Sequence, residues 1–440
     1  MEVSRVNKDY IDLILNNQEV YLDDYKETME KVNNSKAQYR GEPLPTIYHP
    51  MLYSDENIED FKKIGDMMIA ISNKLTDRYI GDKEFRKKFS YPKFIEDLIQ
   101  VDNGYDIHVP IGRFDIFYKD RENFKFCELN TDGSSAMNED NTLAKIILES
   151  KGIKDLSNSY NLEYFELFDS WVEESIKIYK KFDSENQKPH VAIVDFVESG
   201  TPNEFLEFKE SYEKYGYPCI IVDPRDLEYR EGKLYHNDYR IDLVYRRIVT
   251  FEIIDKAEEI PDFLDAYKDR AFCCIGSIRS QVIHNKIFFK VLHDEDTLEI
   301  LNEEERNFVK NHIPDTGIFA GDSKVFAKIL ENKDKYIMKP MDLNASRGVY
   351  AGRDFSKEEW EAKLKKSWGK DYLYQEFCQP YSRDFLVYDD GFKVENLKTI
   401  IGLYMYNEKL QGVYTRIGPN NIISGLTDYY VLPSLHTKEK

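Results

Sequence analysis

The sequence predicts a mixed α/β (α+β) fold of several domains. Three observations lead there. The chain has 440 residues, 41% of them hydrophobic, which is enough for two or three cores. Its hydrophobic spacing is helical over roughly the first hundred residues, then switches to short apolar runs alternating with helical stretches. Between the two lies a pair of strand-like runs that carry charge on one face where apolar residues normally sit.

Residues 1–105 read as a mainly helical region. Apolar residues recur at helical spacing over 9–32 and 56–79, separated by a loop with Pro43, Pro45 and Pro50. Residues 106–188 begin with the two strand-like runs, Ile111–Tyr118 and Phe124–Asn130, followed by helices over 139–151 and 160–182. The period changes at Pro189. Within 189–280, a buried strand at 191–196, a helix at 203–215 stopped by Gly216, and a strand at 218–223 form a βαβ unit of the open-sheet type. Its turn is Ser199-Gly200-Thr201-Pro202 and contains no GxGxxG, so a bound dinucleotide is not expected. Further strands are expected at 234–236, 242–247 and 271–275. Residues 281–440 open with Asn285-Lys286 and a helix over 287–293. A strand, Tyr336–Pro340, then leads into a polar loop at 341–349, a charged helix at 357–368 and a strand at 372–377. Two or three closing strands follow, with Arg416 in the last hairpin. Residues 438–440 read as a frayed tail. There is no internal repeat.

Composition narrows the function. A net charge of −20 argues against a nucleic-acid or anionic-membrane binder. No apolar run reaches the length of a membrane span, and the N-terminal residues lack the apolar core of a signal peptide. The five cysteines show no CxxC spacing, which points to reduced thiols and a cytoplasmic protein. The eight histidines are scattered, so no zinc site is expected.

The charged strand pair carries the chemistry. The runs contain Arg113-x-Asp115 and Glu128-x-Asn130, joined by the polar turn 120–123. If Lys119 pairs with Phe124, Asp115 lies opposite Glu128 and Arg113 opposite Asn130. Opposed Cβ atoms are roughly 4.5–5.5 Å apart. Carboxylates that close repel unless a cation sits between them. Mg²⁺ takes such oxygen ligands and shares them with nucleotide phosphates, and an arginine beside it can grip a phosphate oxygen. A solvated hairpin face with compensating charges is the plainer alternative for these four residues. Gly133, in the loop 131–135, suits close approach of a ligand to backbone.

Two lysines are candidate phosphate ligands, Lys286 at a helix start and Lys339 at a strand end. Taken singly, each reads more readily as a surface lysine. The loop 342–348, with Ser346 and Gly348, could close over a triphosphate through its backbone N–H groups. Gln375-Glu376-Phe377 could present backbone to an adenine edge, although an ordinary sheet strand would look the same.

Together these motifs resemble the circularly permuted ATP-grasp proteins, in particular the synthetase domain of glutathionylspermidine synthase and its homologues. The resemblance spans about 106–433 and rests on Arg113-x-Asp115, Glu128-x-Asn130-x-Asp132, Asn285-Lys286, Lys339-Pro340, Gln375-Glu376-Phe377 and Arg416. It implies metal-binding strands first (106–188), a βαβ pre-ATP-grasp substrate domain next (189–280) and a nucleotide-binding lobe last (281–440). It implies that Asp115, Glu128 and Asn130 bind Mg²⁺, with two ions, and that Arg113 touches the transferred phosphoryl group. Lys286, Lys339, Ser346 and Gly348 would hold the ATP phosphates, and Gln375, Glu376 and Phe377 would cradle adenine. Ser134, Ser135, Arg247 and Arg416 would face the acid substrate or its acyl phosphate. The chain departs from the synthase in lacking a preceding Cys/His amidase domain, and its first hundred residues match nothing in that family. Glutathione and spermidine are therefore not implied.

The reaction so implied joins a small-molecule carboxylate to an amine through an acyl phosphate, releasing ADP and phosphate. A catalytically silent ATP-binding scaffold and a small-molecule phosphotransferase remain as alternatives. The N-terminal helices could wall the substrate mouth or form a homodimer interface.

Overall fold

A computed structural model describes residues 2–39, 41–343, 346–424 and 427–440. It is a mixed α/β architecture built on several sheets. The central six-stranded sheet is antiparallel, in the order Tyr430–Leu432, Lys409–Gly418, Phe392–Tyr406, Ile111–Tyr118, Phe124–Asn130. The 15-residue strand Phe392–Tyr406 is long enough to pair with Ser382–Tyr388 along its first half and with Ile111–Tyr118 along its second. The early hairpin is thereby stitched to the last third of the chain.

A four-stranded parallel sheet runs Cys273–Ile275, Leu243–Arg246, Val191–Val194, Cys219–Val222. Its strands are near-continuous apolar runs, as burial on both faces requires. Pro202 starts the crossover helix Pro202–Lys214 at a position where a missing N–H costs nothing. A smaller antiparallel sheet runs Thr316–Ile318, Tyr372–Glu376, Tyr336–Pro340, Tyr350–Ala351. The helices Ser323–Glu331 and Lys357–Ser367 pack together beside it, around buried Trp360.

Four sequence expectations are corrected. The helix expected over 9–32 is two, Glu2–Leu15 and Gln18–Asn33, broken at Asn16-Asn17. The helix expected over 139–151 runs Met137–Leu148, and a second, Lys151–Leu156, restarts under a Ser150 cap. The helix expected over 160–182 starts only at Asp169. Before it, Tyr160–Tyr164 is a strand, and the Glu166 carboxylate accepts hydrogen bonds from the N–H groups of Phe168, Asp169 and Ser170, which starts the helix there. The tail expected to fray is the strand Ser434–Glu439, which pairs in parallel with Met51–Ser54 and antiparallel with Tyr160–Tyr164. These three strands tie both ends of the chain into one sheet. The helix Asp55–Gly81 follows directly, started by a Ser54/Asn57 capping box.

The charged hairpin has the expected register where it matters and a different one at its turn. Tyr118, not Lys119, pairs with Phe124. One extra residue, Cys127, is then inserted, and beyond it Asp115 pairs with Glu128 and Arg113 with Asn130. Strict alternation would put Phe124, Phe126, Glu128 and Asn130 on one face. The bulge at Cys127 turns the strand over, so that Phe124, Phe126 and Leu129 enter the core while Glu128 and Asn130 join Arg113 and Asp115.

Candidate active site

The hairpin places its polar side chains around Asp115, which is 1% exposed. Arg113 donates to it twice, from Nε at 2.7 Å and from Nη2 at 3.1 Å. Arg416, arriving on Lys409–Gly418, donates from Nη2 at 3.0 Å. The Asn130 amide nitrogen lies 3.3 Å from both Asp115 Oδ2 and Glu128 Oε1. Room for this cluster comes from Gly402, which pairs with Asp115 on the neighbouring strand. A Cβ on Gly402 would come within 2.6 Å of Arg113 Cδ and 2.9 Å of Asp115 Oδ1. Any larger residue there would push the arginine off the carboxylate.

Both candidate lysines converge on the same hairpin from other parts of the chain, and both are buried. Lys286 Nζ lies 3.5 Å from Glu128 Oε2 and donates to the Leu343 carbonyl at 3.1 Å. Lys339 Nζ donates to the Cys127 carbonyl at 3.0 Å. That carbonyl belongs to the bulged residue, which leaves the regular ladder and so offers a free acceptor. Burial opposes ionisation of Glu128, but the charges of Lys286, Lys339, Arg416 and Arg113 outweigh it and hold the carboxyl down at about 2.

These residues floor a slot between the central sheet and the smaller antiparallel sheet. Gln375, Glu376, Phe377, Ser346 and Ile423 line its walls. Gln375 is buried and donates from its side chain to Thr316 Oγ1 at 2.9 Å. The N–H groups of Glu376 and Phe377 are committed to the Asp315 and Lys335 carbonyls, so the adenine contact expected of this stretch falls to its carbonyls and side chains. The Phe377 ring lies 3.9 Å beneath the Arg353 guanidinium. Ser346 and Gly348 lie in the turn after Tyr336–Pro340, where Ser346 reaches the slot and Gly348 is set back beside Tyr372. Asn344 and Ala345, in the middle of the expected closing loop, lie outside the described residues. The slot's cavity volume is about 60 Å³. Ligand pockets are typically roughly 300–1,000 Å³, so the slot as it stands is narrower than such a site.

On the far side of Arg113 is a second, open cavity of about 840 Å³. Arg113 Nη1 and the Tyr404 hydroxyl both donate to the Ser135 carbonyl at 3.1 Å, and Ser135 lines this cavity. Ser134 is buried, its hydroxyl bonded to the Asn130 carbonyl. Gly133, at φ +63, crosses so close to the strand end that a Cβ would meet the Arg247 carbonyl at 2.9 Å. Arg247 also lines the cavity: its terminal nitrogens pair with Glu204 at 2.7 Å and donate to the Ser134 carbonyl and the Tyr245 hydroxyl, while its Nε is buried with no acceptor among the described residues. Gln38, Tyr39 and Gly41, in and beside the short strand after the N-terminal helices, add to the wall of this cavity. Ser346 faces the slot and the next residue, Arg347, faces the cavity, so one turn spans the two.

Sequence reasoning missed several participants. Gly402 has no signature until its pairing with Asp115 is known. Arg246 forms a fully buried ion pair with Asp132 at 2.6 Å, and Asp132 also accepts from the Thr250 N–H at 2.6 Å. This pair fastens the loop after the hairpin to the parallel sheet. Glu139, inside the cavity, looked from sequence like an ordinary first-turn helix acid.

The donor set was tested for Mg²⁺. Among the described residues no three His, Cys, Asp or Glu side chains are placed to hold a metal. The set here is two carboxylates and an amide, which suits a hard cation that keeps water or phosphate in its other positions. Arg416 Nε is buried with no acceptor among the described residues, an orphaned donor beside the carboxylates that suits a phosphate oxygen. The residues fit a metal–phosphate group, provided that Asn130 turns its amide oxygen toward the carboxylates.

Among solved structures, a glutathione synthetase-like effector from Globodera pallida, in its apo form, matches with a TM-score of 0.53 at 10% identity, over 94% of this chain and 97% of that one. The likeness is one of fold, a glutathione synthetase-like α+β fold that extends over nearly the whole chain. No family model and no curated protein matches the sequence. Among the described residues no helix is long and apolar enough to cross a membrane.

Proposed function

We propose that the chain is an ATP-dependent carboxylate–amine ligase of the circularly permuted ATP-grasp type, working through an acyl phosphate in a reducing cytoplasm. One observation carries the reading: Arg113, Asp115, Glu128, Asn130, Lys286, Lys339 and Arg416 converge in one charged cluster, with Glu128, Lys286, Lys339 and Arg416 lining a narrow slot and Arg113 holding the carbonyl of Ser135, which lines a wider cavity. The chain order supports the permuted form, with the hairpin first, the parallel sheet next and the lobe carrying Lys339 and Gln375 last.

In this reading Lys286 and Lys339 hold the ATP phosphates, and the slot wall at Gln375, Glu376 and Phe377 holds adenine. Asp115, Glu128 and Asn130 hold Mg²⁺, which when bound neutralises phosphate charge. Arg113 and Arg416 exchange their grip on Asp115 for the transferring phosphoryl oxygens, which gives charge stabilisation without reorganising water. A substrate carboxylate on the cavity side of Arg113 attacks the γ-phosphorus, and the acyl phosphate forms beside Ser135. The turn at 346–348 shields it from water. An amine then displaces phosphate.

Hydroxylamine trapping tests the reaction class. With ATP, Mg²⁺ and a panel of amino acids and short peptides, the protein should form ADP and a hydroxamate. ADP formation with a phosphorylated product and no hydroxamate would make it a phosphotransferase, and no ADP with any acid would make it a silent binder.

A further inference from the structure

The long strand Phe392–Tyr406 carries two partners end to end on one edge. Ser382–Tyr388 pairs with it from Phe392 to Lys398, and Ile111–Tyr118 from Ile401 to Tyr406. Its other edge belongs to Lys409–Gly418. The two partners meet near Thr399, whose N–H and hydroxyl both donate to the Tyr381 carbonyl. Beyond that point they part, because Ile111–Tyr118 runs on into the turn of the charged hairpin. A cleft opens between them beside the start of the helix Asp55–Gly81, with a cavity volume of about 1130 Å³. It is wider than the slot and wider than the cavity beside Ser135.

Arg383 lines this cleft and lacks a counter-charge. Its guanidinium donates from Nη2 to the Tyr118 carbonyl at 3.5 Å, longer than a well-formed N–H···O bond. Among the described residues no carboxylate forms an ion pair with it. The buried arginines are provided for differently. Arg113 holds Asp115, Arg246 holds Asp132 and Arg247 holds Glu204, while Arg279 donates to the Ile99 and Val101 carbonyls. Burial pushes the Arg383 guanidinium below its ordinary value, and only Tyr53 and Tyr118 act against that. A desolvated charge without a partner is costly. An anion in the cleft removes that cost.

The acids on the walls do not supply it. Asp60 accepts from the Tyr118 hydroxyl at 2.9 Å, Asp120 from the Asn123 amide at 2.8 Å and Asp384 from the Asn396 amide at 2.7 Å. Glu59 pairs with Lys62 at 2.6 Å, and Glu56 and Glu122 are exposed. Six acids and five cations line the cleft in all, so its walls do not gather polyanions. What is unmatched is a single positive charge with a planar fork of donors. A carboxylate matches it in both charge and shape.

We infer that this cleft is a second ligand site, in which Arg383 receives the carboxylate of a small, singly charged organic acid. The site stands apart from the charged cluster. Tyr118 follows Asp115 by three residues, roughly 10 Å along a strand at about 3.3 Å per residue. The strand Ile111–Tyr118 borders both places. The inference does not depend on the ligase reading, because it uses none of the groups assigned to ATP, metal or the reacting acid.

Saturation-transfer NMR on the full chain tests it with three probes that share one body: butyrate, n-butylphosphonate and n-butylammonium, at pH 8. Wild type should transfer most strongly to butyrate. Arg383→Gln should weaken butyrate about tenfold or more, the scale of a lost charge-assisted hydrogen bond. Arg383→Lys should fall between, keeping the charge without the fork. Arg113→Gln should leave butyrate binding as it is, which separates the cleft from the charged cluster. Melting curves check the fold of the key variant. Without probe, Arg383→Gln should melt no lower than wild type, since it loses an uncompensated charge, and butyrate should raise the melting temperature of wild type only. An Arg383→Gln variant that binds butyrate like wild type overturns the assignment, as does butyrate binding that Arg113→Gln removes instead. Phosphonate binding as strong as butyrate overturns the carboxylate as ligand. A lower melting temperature for Arg383→Gln without probe would show that the guanidinium already has its counter-charge, and would overturn the site as well.

Discussion

At the scale of single residues, the site is a balance of charges held by sterics. Two arginines share Asp115 because Gly402 leaves the space beside it empty. Gly402→Ala should therefore displace Arg113 and lower ADP formation by about tenfold or more, since loss of one positioned charge-stabilising donor costs about 10²–10³ in rate. Unchanged turnover would show that Arg113 has no part in the reaction. Glu139 makes a second prediction, about stability. Its carboxyl rises from an ordinary 4.5 to about 8 on folding. The folded state thus binds a proton that the unfolded state has released between those values. The stability it contributes is complete below about pH 4.5 and lost as pH rises through about 8. Asp195, raised to about 7 by burial and by Glu252 against Arg247, adds in the same direction. Glu139→Gln should leave the melting temperature near pH 5 almost unchanged and raise it by a few °C near pH 8.5, the scale of roughly one or two kcal/mol. Parallel melting curves for wild type and variant from pH 5 to 9 would exclude this. Arg113, Asp115, Glu128 and Asn130 were legible in the sequence because charged residues at two-residue spacing contradict a core strand. Gly402 and Glu139 were not, because each acquires its role only from a neighbour distant in sequence.

At the scale of elements, the bulge at Cys127 decides which side chains meet. Alternation from Phe124 alone would have set Glu128 on the core face. The pairing of Asp115 with Glu128 was legible because the charged pairs themselves demand it. The turn end was read one residue out because the inserted residue carries no sequence mark. The bulge also frees the carbonyl that Lys339 holds, a backbone role that any side chain at 127 can serve. Cys127→Ala should therefore keep the KM for ATP within about twofold, whereas deletion of residue 127 should raise it about tenfold or more, because plain alternation then keeps Glu128 and Asn130 beside Asp115 but removes the freed carbonyl that Lys339 holds. Steady-state kinetics of both variants would check this, and a tenfold rise in KM for Cys127→Ala would move the role to the thiol. The strand Tyr160–Tyr164 reads as helical in the sequence for a related reason. Its apolar residues are compatible with either period, and its partner, Ser434–Glu439, lies nearly 300 residues away.

At the scale of the molecule, the two ends of the chain close on each other, and the polar groups of the candidate site come from three regions. The order of hairpin, parallel sheet and smaller antiparallel sheet could be read from changes in period and punctuation. The sheet joining Met51–Ser54, Ser434–Glu439 and Tyr160–Tyr164 could not, because its strands are short and gain stability only from one another. The slot and the acid-lined cavity share one border, the turn that carries Ser346 and Arg347. The most direct test of the central claim is calorimetric titration with a non-hydrolysable ATP analogue, with and without Mg²⁺, on wild type and Glu128→Ala. The account predicts tight binding only with Mg²⁺ to wild type, weakened about tenfold or more when either the ion or the carboxylate is removed, about 1.4 kcal/mol. Binding that is equal in all four titrations, or undetectable in wild type with Mg²⁺, would contradict it.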